Sequence, residues 1–154
     1  MNGPRAAADR ESLMAGEFRI SRRVQFAETD MAGVLYFANY FRLMEEVENA
    51  FWQSSGLSGY MLHRDPAVGW PRVAVSCEYL APARFEDELD VRLRVTHLGT
   101  SSVAYEVEFL CRGQRIALGR IKAVCCAMKG GSFVSVDIPP VLREKLLTMV
   151  DHAT

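Results

Sequence analysis

Within this 154-residue chain, only residues 39–55 show sustained helical periodicity; the segments on either side alternate or break. Tyr40, Leu43, Met44, Val47, Ala50 and Phe51 recur at three- and four-residue steps and form one apolar stripe. Arg42, Glu45, Glu46, Glu48, Asn49 and Gln53 lie mostly off it. A helix over this stretch is about 25 Å long at 1.5 Å per residue. Asn39 is placed to cap its start and Gly56 to stop it. A single long helix must bury its stripe against something, and the remaining segments offer strands. Such a helix is long enough to serve as the single filling of a curved sheet.

The strand pattern supports this. Residues 18–26 alternate, with Phe18, Ile20, Val24 and Phe26 on one parity and only Arg22 interrupting. A connector over 27–33 contains Gly33. Residues 56–71 hold three Gly and two Pro with no sustained period, which predicts a loop. Strands are predicted over 73–80, 89–95, 103–110 and 116–128. In the first, Val73, Val75, Cys77 and Tyr79 share a parity. The next two alternate apolar with charged, and the last is the most apolar, as a central strand would be. Short Gly-containing connectors at 98–102 and 111–115 suit antiparallel hairpins, and 129–132 suits another tight turn. A short segment at 133–136 precedes Pro139-Pro140, which opens a small helix over 141–150. The expectation is one α+β domain over 17–150: a five-stranded or slightly larger antiparallel sheet around the helix, after a flexible tail over 1–16. One helix leaves a face or edge of such a sheet uncovered, and oligomerisation would cover it.

Several function classes are disfavoured. Net charge is −1 and the basic residues are scattered, so nothing points to nucleic acid or an anionic membrane. No apolar run approaches the ~18–20 residues of a membrane span, and the N-terminus lacks the apolar core of a secretory signal. A cytoplasmic protein is expected. Cys77, Cys111, Cys125 and Cys126 lie in apolar, strand-like runs without a Cys-x-x-Cys pair, and adjacent Cys125 and Cys126 would point to opposite faces of a strand. Inert core thiols are expected. His63, His97 and His152 are far apart. No serine-hydrolase elbow, phosphate loop, dinucleotide fingerprint or metal-ligand spacing is present, so neither metal nor cofactor is expected.

Asp30 stands out. A carboxylate just ahead of a helix N-terminus lies near free backbone amides that can bind developing negative charge. Asp is also common in turns, and spacing alone leaves both roles open. Val24, Phe26, Thr29, Asp30, Gly33, Val34, Tyr36 and Tyr40, with the P-R-V-A-V-S-C-E-Y run and the G-T-S-S-V hairpin, resemble the hotdog-fold acyl-CoA thioesterases of the 4-hydroxybenzoyl-CoA thioesterase type. The likeness covers residues from about 18 to 140.

The resemblance implies a hotdog fold assembled as a homodimer or homotetramer, with active sites at the subunit interface. It implies hydrolysis of a short-chain or aromatic acyl-CoA to free acid and CoA, the coenzyme entering only as part of the substrate. Asp30 corresponds to the catalytic carboxylate, nucleophile or general base, and the Phe37 backbone amide to the group that polarises the thioester carbonyl. Gly33, Val34, Tyr36, Asn39 and Tyr40 correspond to residues around the substrate. Two departures stand out. No His lies near Phe37 or Ala38, and the hairpin at 97–102 offers only His97 and hydroxyls where some relatives place basic residues against the CoA phosphates. Glu45 or Glu46 is the fallback carboxylate, although the acidic run reads first as a solvated helix face. Tyr36, Phe37, Trp52, Tyr60 and Trp70 could line an acyl pocket or simply pack. The rival readings are a non-catalytic acyl-thioester-binding hotdog module and a hotdog dehydratase, the latter disfavoured by the missing His.

Overall fold

The computed structural model describes residues 12–14 and 16–150. Of the tail expected over 1–16, residues 1–11 and 15 lie outside that range, as does His152, while Ser12–Met14 form a short strand, β1. It pairs with β2 (Glu17–Arg23). The long helix α1 (Asn39–Ser54) follows, within a residue of the predicted span. Then come β4 (Arg72–Tyr79), β5 (Glu88–Leu98), β6 (Ser102–Cys111) and β7 (Gln114–Val124). These strands make one antiparallel sheet in the order β1-β2-β5-β6-β7-β4. It is the expected hotdog sheet, one strand wider than the minimal five.

The sheet curves around α1 because each strand turns one parity inward. Phe18 and Ile20 of β2, Val91 and Leu93 of β5, and Val107 and Phe109 of β6 are buried against Leu43, Met44, Val47 and Phe51 of the helix. Each such burial stabilises by about 1.5–3 kcal/mol. Gly119 on β7 lets the helix approach closely, since a Cβ there would lie 2.6 Å from Met44 Sδ. The opposite parity carries ion pairs across the strands, among them Arg19–Asp90, Arg92–Glu108 and Arg120–Glu78. The outer face therefore suits water.

The structure departs from the sequence expectations at several points. The first strand stops at Arg23, and a single 3-10 turn (Phe26–Glu28) follows, so Phe26 is 76% exposed instead of sharing the buried row. Asn39 does not cap α1: the cap position is Ala38, with no side-chain cap, and the Asn39 amide bonds elsewhere. Residues 56–71 are not wholly loop, because a short helix α2 (Ser58–His63) and β3 (Val68–Gly69) form there. The long strand over 116–128 breaks at Cys125: β8 (Cys126–Lys129) leaves the main sheet to join β3 and β9 (Ser132–Ser135). Cys125 and Cys126 are consequently both buried, not on opposite faces of one strand. The last helix, α3 (Pro140–Leu147), is shorter than expected, and Val150 instead bridges to Val95.

In β4 the register shifts between Arg72 and Ala74. The bulge takes Val73 out of the inner row and turns Arg72 in, toward the helix, a re-aiming that bulges commonly produce. β4 is also a sheet edge. Val73, Val75, Tyr79 and Leu80 are all exposed along it.

Candidate active site

The connector between β2 and α1 is pinned from several directions. Gln25 N–H and Arg22 both donate to the Glu28 carboxylate, and Arg22 also pairs with Glu46 at 2.9 Å. Burial alone would raise the Glu28 carboxyl, but the bonds from Arg22 and Gln25 and the Arg22 charge outweigh it and hold the group below its ordinary range. The Glu28 carbonyl accepts from both Tyr36 N–H and Asn39 Nδ2, each at 2.9 Å. Asn39 thus ties the helix start to the connector.

Asp30 sits in a tight turn inside this frame. Its N–H donates to the Val34 carbonyl at 2.9 Å, and Gly33 N–H donates back to the Asp30 carbonyl at 3.0 Å. Gly33 has φ +74°, a conformation glycine adopts without strain. Asp30 Oδ1 accepts from Ala32 N–H at 2.8 Å and Val34 N–H at 3.3 Å, whereas Oδ2 has no hydrogen bond among the described residues. One carboxylate oxygen is held and the other is available. The side chain is exposed.

Across the connector, α1 begins with amides that have no partner. Tyr36 N–H and Asn39 N–H are bonded, but Phe37 N–H and Ala38 N–H donate to nothing among the described residues. Phe41 N–H goes to the Ala38 carbonyl at 3.2 Å. The Phe37 carbonyl is held instead by the Tyr79 hydroxyl of β4, at 3.0 Å. In a trans peptide the C=O and the following N–H point opposite ways, so Tyr79 fixes the direction of Ala38 N–H. Burial pushes the Tyr79 phenol up, keeping it a donor at neutral pH.

Two open clefts share Asp30. The first, about 790 Å³, is lined by Asp30, Gly33, Tyr36 and Asn39 together with Phe26, Ala27, Thr29 and Met31. The second, about 370 Å³, is lined by Asp30, Val34, Phe37 and Tyr40 together with Leu35, Tyr79, Leu80, Ala81 and Pro82. All seven residues singled out in the sequence line one or both. Tyr40 does so from the core side: it is buried, which pushes its phenol up to about 12. Glu46 is engaged by Arg22, while exposed Glu45 has no hydrogen bond or ion pair among the described residues. Among the described residues no three His, Cys, Asp or Glu gather to hold a metal, and no helix is long and apolar enough to cross a membrane. The four cysteines are free, and burial pushes the Cys77 and Cys125 thiols up to about 11, which makes them poor nucleophiles.

The sequence reading missed Tyr79 as the holder of Phe37, and it placed Glu48 on the solvated face. Glu48 is only 2% exposed. The signal was present: Tyr40, Met44, Glu48 and Trp52 follow one another at four-residue steps and share one edge of the buried stripe.

The chain as a whole is similar to known proteins. The sequence model of the thioesterase-like superfamily matches residues 24–146. A putative esterase of Aquifex aeolicus is 32% identical over 82% of this chain and 98% of its own length. A 1,4-dihydroxy-2-naphthoyl-CoA hydrolase of Synechocystis is 30% identical over 73% of this chain and 83% of its own. The solved structure of a gentisyl-coenzyme A thioesterase superposes with a TM-score of 0.71 at 28% identity, covering 84% of this chain and 98% of that one. With its sheet-wrapped helix and the acidic turn ahead of it, the chain belongs to the thioesterase-like superfamily of hotdog enzymes.

Proposed function

We propose that the protein hydrolyses acyl-CoA thioesters, releasing a free acid and CoA, with Asp30 and the Phe37 amide as the reacting machinery. The observation that carries this reading is the pair itself: Asp30, whose Oδ2 has no hydrogen bond among the described residues, and Phe37, whose N–H donates to nothing among them, line the same cleft. Thioester cleavage needs an attacking oxygen and a stabiliser for the carbonyl oxygen as it gains charge. Asp30 supplies the first by attacking the carbonyl carbon and expelling the CoA thiolate, which leaves a mixed anhydride that water opens to the free acid and Asp30, or by taking a proton from a water that attacks the carbonyl and displaces the thiolate. The Phe37 N–H supplies the second and needs no reorganisation during the reaction. Ala38 N–H lies next to it as a further donor. The named activities of the naphthoyl-CoA and gentisyl-CoA relatives support a CoA thioester as substrate.

The working form in this reading is a homo-oligomer. β4 presents an unpaired edge with exposed Val73, Val75 and Tyr79 directly beside the second cleft. A second copy laid along that edge would cover it and wall the cleft.

A thiol-release assay across short, branched, long and aromatic acyl-CoA thioesters, run with wild type and Asp30→Asn, tests the proposal. Turnover that collapses in a folded Asp30→Asn protein is expected. Wild-type-like turnover by that variant would remove Asp30 from the mechanism, and binding without hydrolysis of any thioester would favour a non-catalytic acyl-thioester-binding module.

A further inference from the structure

Nearly every arginine among the described residues sets its side chain on a carboxylate, a hydroxyl or a carbonyl, even across the solvated outer face of the sheet. Arg42 and Arg84 are the exceptions. Both are exposed, and neither makes a side-chain hydrogen bond or ion pair among the described residues. Each stands beside the Asp30 connector. Arg42 is on α1, one turn past Asn39, and its charge helps hold the Glu28 carboxyl low. Arg84 is closer to the proposed chemistry.

Two isolated bridges place it. Thr29 pairs with Leu35 and Val34 with Arg84, both antiparallel. Asp30 N–H donates to the Val34 carbonyl at 2.9 Å, and Leu35 N–H to the Ala83 carbonyl at 2.7 Å. Residues opposite one another in such a ladder point to the same face. Leu35 and Ala83 are buried on one face, so Asp30, Val34 and Arg84 form a row on the other. The Arg84 backbone is held firmly: its N–H donates to Asp87 Oδ2 at 2.8 Å, and its carbonyl accepts from Asp87 N–H at 3.0 Å. Asp87 is itself buried and paired with Arg112 at 2.8 Å, and the adjacent Phe85 ring meets Phe26 edge to face at 5.7 Å. A fixed backbone thus carries an unengaged guanidinium on the face of Asp30, and the two side chains do not pair. Exposed Glu86, two residues on, does not take it either. A cation left open beside a reactive carboxylate suits an anion that the substrate brings.

We propose that Arg84 binds the first phosphate beyond the pantetheine arm of an acyl-CoA. The proposal rests on the reading of the Asp30 cleft as an acyl-CoA site. Neighbouring strands lie about 4.8 Å apart, so the Asp30 and Arg84 backbones stand about 10 Å apart across Val34. The five bonds from Cα to the guanidinium carbon let Arg84 reach on the order of 6 Å farther. From sulfur to first phosphate, the pantetheine arm is as long as about four extended residues, roughly 14 Å. With the thioester between Asp30 and the Phe37 amide, an arm laid over Val34 brings that phosphate to Arg84, and the nucleotide lies farther out. The guanidinium fork matches two phosphate oxygens at once. Arg42, beside the first cleft, is off this path.

The test is calorimetric binding of the benzyl thioethers of pantetheine, phosphopantetheine and CoA. Wild type is expected to bind the phosphopantetheine compound about tenfold tighter than the pantetheine compound. Arg84→Gln should bring the two within about twofold, the remainder being the general field of the protein. Its melting temperature should not move, because the side chain holds nothing in the fold. Arg84→Lys keeps the charge without the fork and should keep part of the preference. Arg42→Gln should leave the preference intact. Loss in Arg84→Gln alone supports the site. A preference absent in wild type, as a carboxylate of a second copy seated on Arg84 would produce, overturns it. So does a preference intact in Arg84→Gln, or one lost equally in Arg42→Gln. Dependence on Arg84 that appears with CoA but not with phosphopantetheine would move the contact to the nucleotide end and overturn the first-phosphate assignment. Thiol release from the corresponding benzoyl thioesters and from the wider set of acyl-CoAs keeps the two readings apart. Turnover without phosphate preference removes the phosphate site alone. Phosphate preference in binding without turnover of any acyl-CoA removes the hydrolase reading and leaves the phosphate site.

Discussion

The two ends of α1 are built in opposite ways. At its C-terminus nearly every polar group closes on the helix itself. Ser54 Oγ and Ser55 Oγ both donate to the Phe51 carbonyl, at 2.8 and 2.9 Å. Gly56 N–H reaches the Gln53 carbonyl and Leu57 N–H the Trp52 carbonyl, both at 3.0 Å, with Gly56 at φ +69° and Leu57 buried. That is a Schellman closure with its hydrophobic contact. At the N-terminus no side chain caps the helix, the Phe37 and Ala38 amides donate to nothing among the described residues, and Phe37 is 58% exposed. A capping side chain there would add about 1 kcal/mol. Its absence leaves the donors available, and the proposed chemistry uses them at this open end.

One chemical edit made at both ends would break this comparison if it is wrong. Replacing the residue at 37 by its α-hydroxy acid turns the amide into an ester, which deletes the N–H and makes the Tyr36 carbonyl, the acceptor of Asn39 N–H at 2.9 Å, a weaker acceptor. Because that N–H donates to nothing among the described residues, the stability cost should be confined to the weakened Asn39–Tyr36 bond, a fraction of the ~1 kcal/mol of a whole bond. The rate of thioester hydrolysis should fall by on the order of 10²–10³, about 3–4 kcal/mol of transition-state stabilisation. The same edit at Leu57 should do the reverse, lowering unfolding free energy by about 1 kcal/mol and leaving kcat alone. Thiol-release kinetics and urea unfolding on the two proteins give both numbers. Equal rate losses at the two positions would mean that the open end is not special.

Gly56→Ala probes the closed end alone. A Cβ at this position meets nothing within 4 Å, so the cost is purely that of holding an alanine at positive φ, about 1–2 kcal/mol. Urea midpoints should shift by that amount with kcat/KM unchanged. At the open end the matching probe is Tyr79→Phe, which frees the Phe37 carbonyl and lets the following N–H wander. A fall in kcat of about fivefold, roughly 1 kcal/mol, is expected with KM little changed. A change in KM alone would make Tyr79 a binding residue instead of a positioning one.

The contrast between the ends also separates what the sequence could reveal from what it could not. Local rules suffice for the closed end: apolar steps of three and four place the helix, and Gly56 stops it within two residues of its observed last turn. Asp30 and Gly33 are likewise visible because a tight acidic turn has a short-range signature. The open end depends on partners distant in sequence. Asn39 reads as a cap because its type favours one, yet the Glu28 carbonyl eleven residues earlier takes its amide. Tyr79 reaches Phe37 across a separation of 42 residues, and Arg72 reaches Glu48 across 24, the latter only because a bulge removes Val73 from the row. No periodicity signals a bulge in advance. The split of 116–128 at Cys125 is of the same kind, since it is decided by whether β3 is there to receive β8.

The smallest predicted effect concerns how the open end is held. Where the C-terminus of α1 closes on itself, the N-terminus is held from outside, through Asn39 and Tyr36 to a connector whose Glu28 carboxylate is pinned by Arg22 and Gln25. Glu28→Gln keeps the shape and removes the charge, and should cost about 0.5–1 kcal/mol at pH 7. The Glu28 pKa is depressed in the fold, so more protons bind the unfolded chain at low pH. The charged form's contribution is therefore complete above the ordinary Glu pKa of 4.5 and is lost as pH falls through the lower folded value. Urea unfolding of wild type and variant should differ by a constant amount from pH 7 to about pH 5 and converge below that. Convergence on raising the pH instead would mean that the Glu28 charge opposes the fold, and the frame that holds the open end would have to lie in the Asn39 bond alone.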